Sequence, residues 1–219
     1  MKVVILCGGS GSRIAQETKN MPKTMIEVGG KPLLLHIIEH YKKFGFEDFI
    51  LACGYKFKVI SNYLKKKRIG NVKAIYTGEK TLTGKRLFKL KKYLKNEEDF
   101  MLTYGDGISN INLNHLLKFH LKTKKVGTVT AVNLPSTFGE LIMSKNNVKR
   151  FNEKKINKKS WINGGFFVFN KKVFNFLSSV DSMLEDQLMN SLVKNKQLVA
   201  FKHKGFWKCV DNYKDKIEL

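Results

Sequence analysis

Cysteine is scarce in this sequence. The 219 residues include only three cysteines, Cys7, Cys53 and Cys209, and no two of them form a C-x-x-C pair. This spacing excludes a zinc ribbon, a thioredoxin-like motif and a disulfide scaffold. Each cysteine stands at the end of an apolar run, so we expect free, buried thiols in a reducing compartment.

Long apolar runs are also missing. No stretch approaches the roughly 18 uncharged apolar residues that a membrane-spanning helix needs. The apolar run at the start of the chain is short and leads directly into glycines, which is not the form of a signal peptide. We therefore expect a cytoplasmic protein with no membrane partner, organised as a single domain over residues 1–219.

Acidic residues and arginines are few. The chain has 18 Asp and Glu against 41 Lys and Arg, a formal net charge of +23, and only Arg13, Arg68, Arg86 and Arg150 are arginines. A basic chain suggests nucleic acid as a partner. The lysines are scattered over amphipathic segments, however, and phosphate and base recognition favours arginine with interleaved aromatic residues. We expect no nucleic-acid partner and keep a basic nucleic-acid-binding module that has lost catalysis as the alternative.

Glycine, in contrast, is concentrated directly behind the first apolar run. Residues 2–7 form a short, largely apolar run that contains β-branched residues, and glycines follow at three of the next four positions, Gly8, Gly9 and Gly11. A buried strand should therefore end in a loop whose backbone N–H groups can converge on phosphate. Arg13 and Lys23 are cations that the loop and the returning chain bring to the same place.

Two known glycine motifs fit this segment poorly. Ile14 stands where the third glycine of GxGxxG belongs, and the phosphate-loop pattern GxxxxGK[ST] is absent. A plain glycine-rich turn between a strand and a helix is the alternative interpretation.

Strand-like and helix-like runs alternate through most of the chain. Apolar runs typical of strands cover residues 2–7, 49–53, 72–76, 100–104, 126–132, 161–169, 198–202 and 206–210. The alternation predicts an α/β fold with a Rossmann-like, doubly wound, mostly parallel (mixed) sheet that binds ligands at the carboxyl ends of its strands. Short strands with polar turns between 141 and 151 predict a small antiparallel insertion. Helices are predicted near 172–177 and 184–193.

Four segments, taken together, resemble the sugar-phosphate nucleotidyltransferases. GGSGSR followed by PKTMIEVGGKPLL is similar to the family signature GGxGTRL and PKPM. The later segments TYGDG (103–107), INGGFF (162–167) and GFW (205–207) with Asp211 strengthen the resemblance, which spans the chain from Met1 to about Asp215. It implies a fold of the nucleotide-diphospho-sugar transferase type.

Within that family the pattern most resembles enzymes that transfer CMP from CTP to glucose 1-phosphate. The resemblance therefore implies a cytidylyltransferase of polysaccharide or capsule biosynthesis, which makes a CDP-linked product and pyrophosphate. It also implies a Mg²⁺ cofactor held by Asp106 and Asp211, because two anionic substrates must be brought together.

The resemblance further implies a role for each matching residue. Nucleotide contacts fall on Leu6, Cys7, Gly8, Gly9, Gly11, Ser12, Arg13, Lys23, Thr81, Arg86 and Gly105; acceptor contacts on Glu153, Lys154, Asn163 and Gly164; and catalytic roles on Arg13, Lys23, Asp106 and Asp211.

Several alternatives stay open at this point. Asp106 also suits a turn, and Asp211 also suits the cap of a last helix. The chain is shorter between Tyr63 and Thr77 than in its relatives, which leaves open the acceptor and whether the protein forms a homo-oligomer. The alternative acceptor is a non-sugar phosphate such as phosphoglutamine, used in capsule phosphoramidate synthesis. The alternative to CTP is another nucleoside triphosphate.

Overall fold

The computed structural model describes residues 1–11, 14–133, 140–152 and 160–219. Its strands, in chain order, are β1 (Lys2–Cys7), β2 (Glu27–Val28), β3 (Lys31–Pro32), β4 (Asp48–Cys53), β5 (Val72–Tyr76), β6 (Asp99–Tyr104), β7 (Gly107–Ser109), β8 (Gly127–Val132), β9 (Glu140–Ser144), β10 (Asn147–Asn152), β11 (Ile162–Asn170), β12 (Leu198–His203) and β13 (Trp207–Cys209). Its α-helices are α1 (Ala15–Thr18), α2 (Leu33–Lys42), α3 (Phe57–Lys66), α4 (Thr83–Lys89), α5 (Lys91–Leu94), α6 (Leu113–Thr123), α7 (Asn190–Lys194) and α8 (Tyr213–Ile217). No helix in these ranges is long and apolar enough to cross a membrane.

Seven strands form the central sheet in the order β12-β8-β11-β6-β1-β4-β5. Every neighbouring pair is parallel except the two pairs that β11 makes, with β6 and with β8. The predicted mixed, mostly parallel sheet is thus confirmed, and the antiparallel strand lies near its middle.

The core occupies both faces of this sheet. In β1, Val3 and Ile5 pack on the side of α2, α3 and α6, while Val4 and Leu6 pack on the side of α4, α5 and α7. Alternate side chains of a strand point to opposite faces, so a strand that is covered on both faces is apolar throughout. This explains why residues 3–7 form an unbroken apolar run.

Three two-stranded sheets lie outside the central one. The pair β9–β10 is the predicted antiparallel insertion. The strand predicted over 206–210 is β13. Its pairing with β7, and the pair β2–β3, do not follow from the sequence, since two or three residues are too few to show a period.

Two of the predicted helices have a different geometry from the one expected. The segment Lys171–Asn175 is a 3₁₀ helix, and Leu184–Met189 is π-helical before α7 continues it. Apolar spacing predicts that these segments are helical, but it does not distinguish 3₁₀ or π-helical geometry from α-helical geometry.

The direction of β11 decides which of its ends faces the ligand edge. Asn163, near its start, pairs with Ala131, near the carboxyl end of β8. The register then shifts between Asn163 and Phe167, and Gly165 in this bulge has φ +75°. The first residues of β11 therefore lie at the same edge as the carboxyl ends of the parallel strands.

Candidate active site

A cleft of about 920 Å³ opens at the carboxyl edge of the sheet. Its walls come from the loops after β1 and β6, the start of β11, and the segment from β13 into α8. Its size is ordinary for a pocket that takes a small organic ligand.

The glycine loop after β1 is shaped by contact with Arg86. A Cβ atom placed on Gly8 would lie 2.0 Å from Arg86 Cζ, so only glycine fits there. Arg86 Nη2 also donates a hydrogen bond of 3.1 Å to the Gly8 carbonyl. The loop thus lies directly against a guanidinium group.

Arg86 itself is buried, with 4% of its surface exposed. Its Nη1 donates to the Cys53 carbonyl (3.2 Å), Thr77 Oγ1 (2.6 Å) and the Gly78 carbonyl (2.8 Å), and its Nη2 also donates to the Glu79 carbonyl (3.0 Å). Burial lowers the pKa of Arg86. This one side chain connects the loops that follow β1, β4 and β5.

Lys23 forms the centre of the charged part of the cleft. Its Nζ lies 2.6 Å from Asp106 Oδ2 and 2.8 Å from Asp211 Oδ1. Burial alone would lower the pKa of Lys23, but the carboxylate of Asp106 and then that of Asp211 outweigh it, and the pKa is raised. Lys23 is therefore an ammonium cation at neutral pH.

The short β7–β13 pair brings the two carboxylates together. Cys209 pairs with Gly107, and the backbone N–H of Val210 donates to the Asp106 carbonyl at 3.0 Å. Asn212, and not Asp211, caps α8, in a capping box with Asp215. The capping alternative for Asp211 is therefore wrong, and its carboxylate points toward Lys23.

Cys209 lies beside the carboxylate pair. A ligand atom of Cys209 and one each of Asp106 and Asp211 all lie within 4.8 Å of one another. Cys7 and Cys53 are free and buried, as expected, whereas Cys209 is only partly buried. Burial and then the charge of Asp106 raise the pKa of the Cys209 thiol, so it stays protonated.

The start of β11 forms another part of the cleft. Trp207 Nε1 donates to the Gly164 carbonyl at 2.6 Å, which fixes the bulge to β13. Asn163 is exposed; its Nδ2 lies 3.4 Å from Tyr104 Oη, which donates to the Glu185 carboxylate. Burial and then Glu185 raise the pKa of Tyr104, so this hydroxyl remains a donor.

The structure brings most of the sequence-predicted site residues to one place. The cleft is lined by Leu6, Gly8, Gly9, Lys23, Arg86, Gly105, Asp106, Asn163, Gly164 and Asp211. Cys7, Gly11 and Thr81 are not among its lining residues; the Thr81 hydroxyl donates to the Thr77 carbonyl instead. Ser12, Arg13, Glu153 and Lys154 lie outside the described residues.

Other lining residues were missed by the sequence interpretation. They include Thr83, Tyr104, Met183, Glu185, Lys208, Cys209, Asp215 and Glu218. Tyr104 lies inside the quoted segment TYGDG, and Cys209 lies between GFW and Asp211; these positions were the available signal. Glu185 carries no local signal, because it reaches the cleft through the packing of residues 182–184 on Thr83 and Gly84.

Comparison with known proteins gives consistent results. A family profile described as nucleotidyl transferase matches residues 2–218. The glucose-1-phosphate cytidylyltransferase of Salmonella typhi is 36% identical over 242 aligned positions, which cover 100% of this chain and 94% of that protein.

Solved structures share the fold. HddC from Yersinia pseudotuberculosis, complexed with GMP-PN, superimposes with a TM-score of 0.77 at 22% identity, covering 99% of this chain and 96% of that one. The inositol-1-phosphate CTP transferase from T. maritima gives a TM-score of 0.73 at 19% identity, covering 98% and 90%.

Proposed function

This chain belongs to the nucleotidyl transferase family, and from that premise we propose that it transfers CMP from CTP to a sugar 1-phosphate, glucose 1-phosphate first. An oxygen of the acceptor phosphate attacks the α-phosphorus of CTP, a new P–O bond forms, and the bond to pyrophosphate breaks. The products are a CDP-linked sugar and pyrophosphate. The relative from Salmonella typhi, which is named for this activity and aligns with all of this chain, supports the choice of CTP and glucose 1-phosphate.

One observation carries the chemical part of the proposal. Asp106, Asp211 and Lys23 meet within hydrogen-bond distance in the cleft that the glycine loop borders. Both substrates are anions, so the protein must mainly hold them in line and neutralise their charge. In this role, the backbone of Gly8 and Gly9 and the ammonium of Lys23 bind the triphosphate.

We propose that Asp106 and Asp211 hold Mg²⁺, which supplies positive charge to the phosphate oxygens when it is bound. The donor set fits this ion. Mg²⁺ prefers oxygen ligands and is usually held by one or two carboxylates together with substrate phosphates. The two carboxylates come from loops that are distant in the chain, after β6 and after β13, yet they converge so closely that one ammonium contacts both.

The acceptor is proposed to bind at the start of β11. The exposed amide of Asn163 and the backbone of Gly164 offer polar groups there, beside Tyr104 and Trp207. Glu153 and Lys154 are proposed to contact the acceptor on the basis of the family motif alone.

A screen of pyrophosphate release tests the proposal. Four nucleoside triphosphates are each combined with glucose 1-phosphate, other sugar 1-phosphates and phosphoglutamine in the presence of Mg²⁺. We expect release with CTP and a sugar 1-phosphate, and no release when EDTA is added. Release only with phosphoglutamine would make phosphoglutamine the acceptor in place of a sugar 1-phosphate. Release only with another triphosphate would make that triphosphate the donor in place of CTP. No release with any pair, together with retention on DNA that falls steeply with salt, would favour the nucleic-acid alternative.

A further inference from the structure

The ammonium of Lys23 occupies the space between the two carboxylates proposed to bind the metal. It is 2.6 Å from Asp106 Oδ2 and 2.8 Å from Asp211 Oδ1, and 13% of the Lys23 side chain is exposed. These are distances of charge-assisted hydrogen bonds. A small divalent cation that bound the same two oxygens would need the same space.

The side chain at this position is a suitable substitute for a metal ion. The lysine ammonium is a compact point charge with rotatable donors on a flexible stem, whereas the arginine guanidinium is a flat fork. Two carboxylates whose oxygens converge without a cation between them repel each other. A lysine therefore keeps the pair assembled without a metal.

The stem of Lys23 is held against the glycine loop. A Cβ atom on Gly11 would lie 3.1 Å from Lys23 Cβ, and Gly11 is further fixed by a hydrogen bond from the Thr18 hydroxyl to its carbonyl. The fixed end of the Lys23 side chain therefore lies beside the loop that is proposed to hold the triphosphate. An ammonium that leaves the carboxylates stays within reach of that loop.

We propose that Lys23 is an exchangeable cation: its ammonium occupies the metal position until the divalent ion and the triphosphate bind, and it then moves from the carboxylates to the phosphates. This inference rests on the proposed function. In such an exchange every charged group keeps a partner, because the incoming metal replaces the ammonium at the carboxylates and the incoming phosphates receive the displaced ammonium. Metal alone, which brings no phosphate to receive Lys23, should bind weakly.

A titration with Mn²⁺ in the absence of nucleotide and acceptor tests the exchange. Bound Mn²⁺ is counted by the loss of its free-ion electron paramagnetic resonance signal. Lys23→Met removes the competing cation and should bind Mn²⁺ at least about tenfold more tightly than the wild type, because one charge-assisted contact alone has about this effect and Lys23 makes two. Lys23→Arg keeps the charge and should give no such gain.

Two further variants serve as controls. Lys208→Met removes a lysine of the same cleft that bonds to Glu218 and lies 3.6 Å from Asp215, and it should change Mn²⁺ affinity less than about twofold. Adding Asp106→Asn to Lys23→Met should abolish the gain, since the gain requires both carboxylates.

The outcomes separate this inference from the proposed function. Tighter Mn²⁺ binding by Lys23→Met supports the exchange whichever substrates the pyrophosphate screen identifies. Equal or weaker Mn²⁺ binding by a folded Lys23→Met protein would overturn it even if the enzyme proves to be a cytidylyltransferase. An equal gain in Lys208→Met would also overturn it, because the effect would then be one of general charge.

Discussion

The carboxylate of Asp106 stands directly behind β6 and shares the Lys23 ammonium with Asp211. Asp106→Asn keeps the shape of the side chain but removes its charge. We expect turnover to fall by about a hundredfold or more, or about 3 kcal/mol, which is typical of losing one electrostatic contact to a transition state. Initial rates of pyrophosphate release measure this, and the melting temperature checks the fold. Near-wild-type turnover of Asp106→Asn would show that Asp106 has no catalytic role.

Lys23 and Lys154 are expected to serve different substrates. If Lys23 neutralises charge that grows as pyrophosphate leaves, Lys23→Ala should lower kcat and raise the KM for CTP, with little effect on the acceptor KM. Lys154→Ala should raise the acceptor KM and spare CTP. Each contact should contribute about 1.5–3 kcal/mol. An effect of Lys23→Ala on the acceptor constant alone would contradict the placement of the phosphates at the glycine loop.

Single residues differ in how far the sequence could predict their positions. Asp106 was predictable because it follows an apolar strand at the ligand edge. The family resemblance assigns Arg86 to the nucleotide, and the scarcity of arginine supports a specific role, yet four backbone carbonyls and one hydroxyl already accept its hydrogen bonds. Those acceptors belong to three loops that come together only in the fold, so no local pattern indicates them. Its predicted contact with the nucleotide stays a prediction.

The loop after β1 offers a matched pair of glycines. A Cβ atom on Gly8 would meet Arg86 at 2.0 Å, whereas one on Gly9 would have nothing within 4 Å. Gly8→Ala should therefore lower the free energy of unfolding by about 1–3 kcal/mol, the usual cost of overpacking. Gly9→Ala should leave it unchanged or raise it slightly.

Urea denaturation of the two variants and the wild type measures the difference. The comparison concerns stability alone, because both glycines border the proposed triphosphate site and either change can alter activity. Equal loss of stability in both variants would mean that Arg86 does not constrain the loop.

Whole elements were predictable where apolar residues form runs or periods. The strands of the central sheet follow from such runs, and the two-sided burial of the sheet explains their composition. Strand order does not follow from them, because it depends on packing between distant segments. The β7–β13 pair assembles the carboxylates. The sequence predicts β13 within 206–210, but β7 has only three residues and no periodic signal, so the pairing was not predictable.

Acid should destabilise the molecule as a whole through two histidines, the half-buried His40 and the buried His120. His40 and His120 both have a lowered pKa because burial disfavours the imidazolium, although the Ile111 carbonyl and Asp99, respectively, oppose the shift. Unfolding restores a pKa near 6.5, so the unfolded chain takes up protons that the folded chain resists. Their contribution to stability is complete above about pH 6.5 and is lost as the pH falls below it, by up to about 1.4 kcal/mol per pH unit for each histidine.

His120 offers the clearer test of this pH dependence, since it is 2% exposed and bonded to Thr128 Oγ1 at 2.8 Å. Urea unfolding at about pH 7.5 and pH 5.5 should show a smaller loss on acidification for His120→Gln than for the wild type. His115→Gln, at an exposed position of the same helix, should behave as the wild type does. The same loss in all three proteins would exclude His120 as a source of acid sensitivity.

The backbone hydrogen bond from Val210 to Asp106 attaches the second carboxylate to a sheet whose strands all lie earlier in the chain. All seven strands of the central sheet precede Asp211, so none of the pairings in that sheet requires the segment that carries this carboxylate. The sheet can therefore form while residues 207–211 are undocked, and the proposed metal site is completed only when these residues pair with β7.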